Sequence, residues 1–133
     1  MSFRGFAESS RRTVHLPEQF FRELLPEIDD LDELRLTLVV FWHVQKQAGP
    51  FRGVRWSDLV SDEMLSGALG GKRSLVEAAL EKALNKAERR GSLLQGIVAH
   101  PEGEQRLVLL NSPRGRAALA AIQRGDLRLT TDP

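Results

Sequence analysis

The sequence contains no cysteine, which excludes several kinds of site at once. Disulfide bonds, thiolate-bound metals and cysteine nucleophiles all need a residue that this chain lacks. A cysteine-free chain fits the reducing cytoplasm, where we expect this protein to act. No apolar run approaches the roughly 18 residues of a membrane span, and the first residues lack the apolar core of a signal peptide. We therefore expect no membrane partner.

The chain also lacks a strong net charge. A net charge of +1 over 133 residues gives no general argument for binding to nucleic acid. The charge is uneven, however. Residues 1–71 hold 8 Lys and Arg against 11 Asp and Glu, a balance of −3, whereas residues 72–133 hold 11 against 7, a balance of +4. The second half is thus the better candidate for contact with phosphates.

The length predicts a single domain. The composition of the two ends differs from that of the middle, and it divides the chain into three parts. We expect an N-terminal arm over residues 1–13, a folded domain over residues 14–125 and a flexible tail over residues 126–133.

The clearest pattern predicts a long helix over residues 74–90 followed by a β-hairpin. The apolar residues of the helix recur at helical spacing, Ser74 and Glu77 fit a capping box, and Gly91 suits the left-handed position after the last turn. Two β-prone runs follow, residues 93–100 and 106–110, around a turn that contains Pro101 and Gly103. The buried helix face is predicted to consist of Val76, Ala79, Leu80, Ala83, Leu84 and Ala87.

Five further elements are predicted from caps and periodicity, and the first two are helices. Pro17 begins a first helix that Pro26 ends. Asp29 or Asp30, with Glu33 as the other half of a capping box, begins a second helix that runs to about Ala48. The apolar stretch of that helix, residues 36–42, predicts a helix enclosed on nearly every side, with Leu38, Phe41 and Trp42 deeply buried.

The remaining elements complete the order. A strand over residues 51–56 comes next, and Ser57 then caps a helix to about Leu69 with a possible break at Ser61. Ser112 and Pro113 open a final helix that Gly125 closes. The order α-α-β-α-α-β-β-α predicts an α+β, mostly α, winged helix-turn-helix, with residues 74–90 in the position of the recognition helix.

Basic side chains on the long helix and the hairpin are the candidate nucleic-acid contacts. A stripe of Lys82, Lys86 and Arg89 lies on one face, but Glu77 and Glu81 occupy the N-terminal half with which a recognition helix usually reads bases. The tip of the hairpin carries Glu102 and Glu104, which are unsuited to a minor groove. An ordinary solvated face is the alternative. The full candidate set is Lys72, Arg73, Lys82, Lys86, Arg89, Arg90 and Arg106.

Aromatic side chains near the N-terminus are the candidate self-association residues. Phe3 and Phe6 lie on an otherwise polar arm and need an apolar surface to pack on, in this domain or in a neighbouring subunit. Phe20 and Phe21 in the first predicted helix complete the set. We expect a homodimer or a larger assembly.

No arrangement predicts catalysis, a cofactor or a metal. Residues 66–73 depart from a phosphate-binding loop because Arg73 replaces the required Ser or Thr. The acids of residues 29–33 are explained by helix capping, and the three histidines have no partner at helical spacing. Asp62 and Glu63 are adjacent, so on a helix they diverge by about 100° and are poorly placed as an acid–base pair. We expect a protein that is not an enzyme.

Five segments of the chain resemble the N-terminal domain of DnaD-like replication-initiation (primosomal) proteins. They are residues 14–26 (VHLPEQFFRELLP), 33–42 (ELRLTLVVFW), 62–65 (DEML), 89–94 (RRGSLL) and 110–116 (LNSPRGR). The resemblance implies a winged-helix domain that self-associates and acts as a scaffold for the replication machinery. DNA remodelling in that family resides largely in a separate C-terminal domain, for which this chain has no matching segment.

The sequence therefore predicts a non-enzymatic replication scaffold that contacts DNA weakly and in a salt-sensitive way, with replication proteins as partners. Two alternatives remain open. One is a dimeric winged-helix transcriptional regulator, which would prefer one duplex site strongly over random DNA. The other is a protein-interaction module that does not bind nucleic acid.

Overall fold

The computed structural model describes residues 3–7, 12–47 and 53–125. The chain begins with an N-terminal helical segment, a π-helix (Phe20–Leu24) that continues as a 3₁₀-helix (Leu25–Glu27). Helix α1 (Leu31–Lys46), strand β1 (Val54–Arg55) and helices α2 (Trp56–Val60), α3 (Glu63–Ser66) and α4 (Arg73–Arg90) follow. Strands β2 (Leu93–Val98) and β3 (Gln105–Leu110) and helix α5 (Pro113–Gln123) complete the described chain. The predicted α+β, mostly helical class is confirmed.

The three strands form one antiparallel sheet with β3 in the centre, in the order β1-β3-β2. The predicted hairpin pairs Leu94 with Leu109 and Val98 with Gln105. β1 joins the other edge of β3, where Val54 lies opposite Val108. Trp56 was predicted to continue this strand, but it begins α2 instead.

The core lies between α1, α4 and one face of the sheet. The predicted buried face of α4 is confirmed, with Ala79 half-buried and the other five members buried. The partners from α1 and the sheet that are fully withdrawn from water are Leu36, Val40, Leu93 and Val108. Each large aliphatic side chain in such a core contributes about 1.5–3 kcal/mol through burial.

Helix α1 is less enclosed than its apolar stretch suggests. Leu38, Phe41 and Trp42 are half-buried, so the prediction of deep burial is wrong for these three side chains. The helix presents one face to α4 and the sheet, and its opposite face is only partly covered. Phe20 covers part of that face, because its ring contacts that of Phe41 edge-on with 5.9 Å between centroids.

Some of the helix caps predicted from the sequence are confirmed, and one is wrong. Gly91 takes the left-handed conformation after α4, with φ of 91°, and Ser112 accepts a hydrogen bond from the Gly115 amide at the start of α5. The predicted cap at Ser74 is wrong, because α4 begins at Arg73 and Lys72 takes the N-cap position, two residues before Ser74. The Glu77 carboxylate pairs with the Arg73 guanidinium at 3.2 Å.

Two other helices differ from the prediction. The first one is wound as a π-helix and then tightens to a 3₁₀-helix, since Pro26 has no amide hydrogen with which to continue the π-helical pattern. The helix predicted from Ser57 begins at Trp56 and breaks at Ser61 into α2 and α3. Gly49, Pro50, Phe51 and the predicted tail over residues 126–133 lie outside the described residues.

Candidate nucleic-acid interface

An ion pair joins the C-terminal end of α4 to the start of α1. Arg90 donates from Nε to one carboxylate oxygen of Glu33 at 2.6 Å and from Nη2 to the other at 3.0 Å. Glu33 is fully buried. The guanidinium also donates to the Glu27 carbonyl at 2.5 Å and to Asp29 at 3.3 Å. The bonds to Glu33 and its charge, followed by the charge of Asp29 and the bond to it, raise the pKa of Arg90.

A second ion pair lies one turn earlier on α4. Lys86 donates to Asp30 at 2.5 Å, and Asp30 also caps α1 by accepting from the Glu33 amide at 2.9 Å. The bond from Lys86, followed by the one from the Glu33 amide, lowers the pKa of Asp30. The bond to Asp30 raises the pKa of Lys86. Lys86 and Arg90 therefore face α1, and two of the predicted nucleic-acid contacts are occupied inside the domain.

The shift at Asp30 predicts a change in acid stability. A carboxylate whose pKa is lowered by folding stabilises the native state above its ordinary pKa of 3.8, and the effect is lost as the pH falls through the lowered value. Lys86→Met removes the main cause of that shift. In urea unfolding, we expect the variant to lose less stability than the wild type between pH 7 and pH 3. An equal loss in both proteins would contradict the assignment of the shift to Lys86.

Two further candidates are held by acids on the other side of α4. Arg73 binds Glu77, as described above. Arg106 of β3 reaches back to Glu81 at 2.8 Å, and its guanidinium lies 4.0 Å above the centre of the Trp56 ring. The stacking on Trp56 and the pairing with Glu81 fix Arg106 against α4. Arg106 lies near the start of β3, and α5 follows the other end of that strand.

Three predicted contacts remain available to a ligand. Lys72, Lys82 and Arg89 are exposed, and no carboxylate pairs with any of them in the part of the chain that the structure describes. Arg89 makes only a long bond, 3.4 Å, to the carbonyl of Asn85 in its own helix. At 100° per residue, Lys82, Asn85 and Arg89 lie opposite the buried face of α4. The seven candidates thus divide into four paired cations and three free ones.

The partners of the paired cations were not predicted from the sequence. Glu33 was interpreted as half of a capping box, but its carboxylate binds Arg90, 57 residues away. A usable signal was present: acids crowd the start of α1, and Lys86 and Arg90 stand four residues apart near the end of α4. Spacing of this kind is visible in the sequence, whereas the approach of the two helices is not.

Of the four candidate self-association residues, three are exposed and one is buried. Phe3 and Phe6 are 72% and 94% exposed and contact each other edge-on, with ring centroids 4.9 Å apart. Phe21 is half exposed, at 52%. Phe20 is buried beneath Phe41 and Phe21, so it packs within this chain.

An open groove of about 680 Å³ runs between the N-terminal helical segment, the end of α4 and the start of α5. Phe20, Leu24, Phe41 and Leu110 provide its apolar surface, and its charged side chains are those of Glu23, Arg90 and Arg116. A smaller cavity of about 190 Å³ adjoins it, since Phe41 and Leu110 line both. The two neighbouring cavities are together called the α1 groove.

Other polar sites are structural in character. His43 and Asp62 are joined at 2.6 Å and connect α1 to the start of α3, where Asp62 also caps the helix by accepting from the Met64 amide. Within residues 3–7, 12–47 and 53–125, no three His, Asp or Glu side chains are grouped as a metal site would need. None of the helices described there is long and apolar enough to cross a membrane.

No family model, no curated protein and no solved structure matches this chain.

Proposed function

We propose that this chain is a winged-helix assembly module of the DnaD-like type, which self-associates and contacts DNA weakly through the outward face of α4. The fold-level support is the arrangement of α4, the β2–β3 hairpin that follows it directly and the short edge strand β1. This arrangement is compatible with a winged helix-turn-helix, in which α4 would take the recognition position. The module acts without catalysis, as a scaffold for replication proteins.

The observation that carries the proposal is the division of the candidate cations. A helix that binds DNA tightly needs many unpaired cations, because each phosphate contact adds to affinity by releasing a counterion. Here Lys86 and Arg90 hold α1, and Arg73 and Arg106 hold acids of α4. Lys72, Lys82 and Arg89 are left for phosphates. Three cations support weak, salt-sensitive contact.

The test exchanges two of the free cations for acids. We expect Lys82→Glu combined with Arg89→Glu to weaken binding to a mixed-sequence duplex by at least about tenfold at about 50 mM salt, by fluorescence anisotropy. The matched control reverses the same amount of charge elsewhere, with Arg22→Glu and Lys46→Glu, and should change the affinity by about threefold or less. Equal effects of the two double variants would mean that α4 is not the contact surface.

A sequence-reading regulator is the second candidate, and Asn85 is the observation that favours it. The side chain is exposed in the middle of the outward face and makes no hydrogen bond within the described part of the chain. Asparagine can read adenine through two hydrogen bonds in the major groove. A regulator should bind one site about 10³-fold or more tightly than random DNA, whereas the scaffold should show no such preference.

A chain that binds no DNA at low salt would instead be a protein-interaction module.

A further inference from the structure

The α1 groove exposes apolar surface beside charged side chains. Leu24, Phe41 and Leu110 line it and are each only half-buried. An apolar side chain that covered them would be withdrawn from water together with them, which favours its binding. The groove therefore offers a place for a large apolar side chain, and the charged residues around it indicate what stands next to that side chain in a ligand.

One of the cations at the groove is already occupied. The guanidinium of Arg90 donates two hydrogen bonds to the buried Glu33 carboxylate and further bonds to acceptors that precede α1. Its charge is therefore balanced within the domain. Among the described residues that line the groove, Glu23 is the single acid, and it accepts a hydrogen bond from the Gln19 side chain at 3.3 Å.

Two arginines of α5 are available to a ligand. Arg116 lines the larger cavity and Arg114 the smaller one. Both are exposed, and no carboxylate pairs with either of them within the described ranges. Arg116 donates from Nη1 to Asn111 Oδ1 at 3.0 Å, and Asn111 in turn donates to the Gly91 carbonyl at 2.7 Å. Arg116 is thus held at the groove with most of its five donors unused.

From these contacts we infer that the α1 groove binds an acidic segment of a partner protein, which places a large apolar side chain in the groove and a carboxylate against Arg114 or Arg116. Two available arginines outweigh the single Glu23, so a segment that carries acids is favoured over one that carries cations. Arginine binds a carboxylate through two parallel hydrogen bonds, which fixes the position of the segment along the groove. The inference rests on the assembly role in the proposed function and adds the chemistry of the partner.

A single nucleic-acid strand also combines rings with negative charge, but the aromatic side chains of the groove disfavour it. Bases stack on the exposed faces of aromatic rings. Phe20 is only 4% exposed, and Phe41 is half-buried with its ring edge-on to that of Phe20. Leu24 and Leu110 add aliphatic surface. None of the described aromatic rings at the groove is therefore open for stacking, and the observations favour a peptide.

The first step of the test selects ligands for the full chain from a random peptide library displayed on phage. The selected peptides are expected to carry a net negative charge and at least one large apolar side chain. The Arg114→Glu, Arg116→Glu double variant serves to remove phage that bind elsewhere. Because both positions are exposed, this variant should keep its fold, which circular dichroism checks. A selection that yields no peptide, or only basic or uncharged ones, would overturn the inference.

The second step measures the affinity of a selected acidic peptide by fluorescence anisotropy. We expect Arg114→Glu combined with Arg116→Glu to weaken binding at least about tenfold, because two attractive contacts become repulsive. The matched control, Arg22→Glu with Lys46→Glu, reverses the same amount of charge outside the groove and should change the affinity by about threefold or less. Glu23→Gln should tighten binding about twofold to threefold, since it removes the acid that repels the peptide.

The outcomes separate this inference from the contact of α4 with DNA. Equal effects of the two double variants, or a Glu23→Gln variant that binds the peptide more weakly, would overturn the inference. The same holds if reversal of Arg114 and Arg116 weakens binding to single-stranded DNA and leaves the peptide unaffected. Duplex affinity that depends on Lys82 and Arg89 would stand in each of these cases, because it is measured on different variants.

Discussion

Glu33→Ala is expected to lower the free energy of unfolding by about 3 kcal/mol, near the lower end of the range for breaking a buried ion pair. The carboxylate is fully buried and accepts two bonds from Arg90. Its loss removes the charged link between α1 and the end of α4 and leaves space in a packed site. The loss stays near the lower end because Arg90 keeps the Glu27 carbonyl and Asp29. The melting temperature should fall by about 10 °C.

Arg90→Met should be more damaging than Glu33→Ala, because it leaves a buried carboxylate without a partner. The double variant Glu33→Leu, Arg90→Met should lose much less free energy of unfolding than Glu33→Ala and Arg90→Met lose in sum. Two apolar side chains need no partner to compensate for lost hydration. Chemical denaturation followed by circular dichroism measures all of these variants. Glu77→Ala is the control, because its pair with Arg73 is exposed and contributes about 0.5 kcal/mol or less.

A contradicting result would be that Glu33→Ala lowers the free energy of unfolding no more than Glu77→Ala does. The pair of Glu33 with Arg90 would then not hold α1 against α4. Arg90 would then be free to bind phosphates, and the division of cations on α4 would lose its basis.

Gly115→Ala is expected to destabilise the domain by about 3 kcal/mol or more, at or beyond the upper end of ordinary overpacking. A β-carbon at this position would lie 1.8 Å from the backbone carbonyl oxygen of Leu110. Backbone atoms cannot turn aside as a side chain can, so α5 would have to move away from β3. Gly115 also lines the smaller cavity of the α1 groove, which this movement would distort.

Gly96→Ala is the matched control for Gly115→Ala. Its β-carbon would approach the end of the Leu119 side chain at 2.9 Å, and that side chain can rotate. We expect a loss of about 1 kcal/mol or less in urea unfolding. Similar losses at the two glycines would mean that the close approach of α5 to β3 is not what requires a glycine at position 115.

The local elements of this fold were predictable because their signals are local. The apolar face of α4, the left-handed Gly91 and the Ser112 cap each depend on residues within a few positions of one another. The hairpin is equally legible from its two β-prone runs. Where two local signals competed, the sequence could not decide, as at the start of α4, where Glu77 pairs with Arg73 and Ser74 lies inside the helix.

The candidate site was less predictable because its arrangement is set by tertiary contacts. On a helical wheel, Lys82, Lys86 and Arg89 form one stripe, yet Lys86 turns to Asp30, 56 residues away. Phe20 and Phe21 are neighbours in sequence, but only one is buried, because only one points at α1. Which cation or ring remains available depends on distances that only the folded chain fixes.

The most direct test of the central claim is the salt dependence of DNA binding by the wild-type chain. With three free cations, Lys72, Lys82 and Arg89, the slope of log affinity against log salt should be about −2.7 per bound protomer, which is about a 40-fold loss between about 50 and 200 mM. Stoichiometry from sedimentation gives the number of protomers. A slope of about −6, as expected if all seven candidate cations were free, or binding that salt does not weaken, would contradict the account.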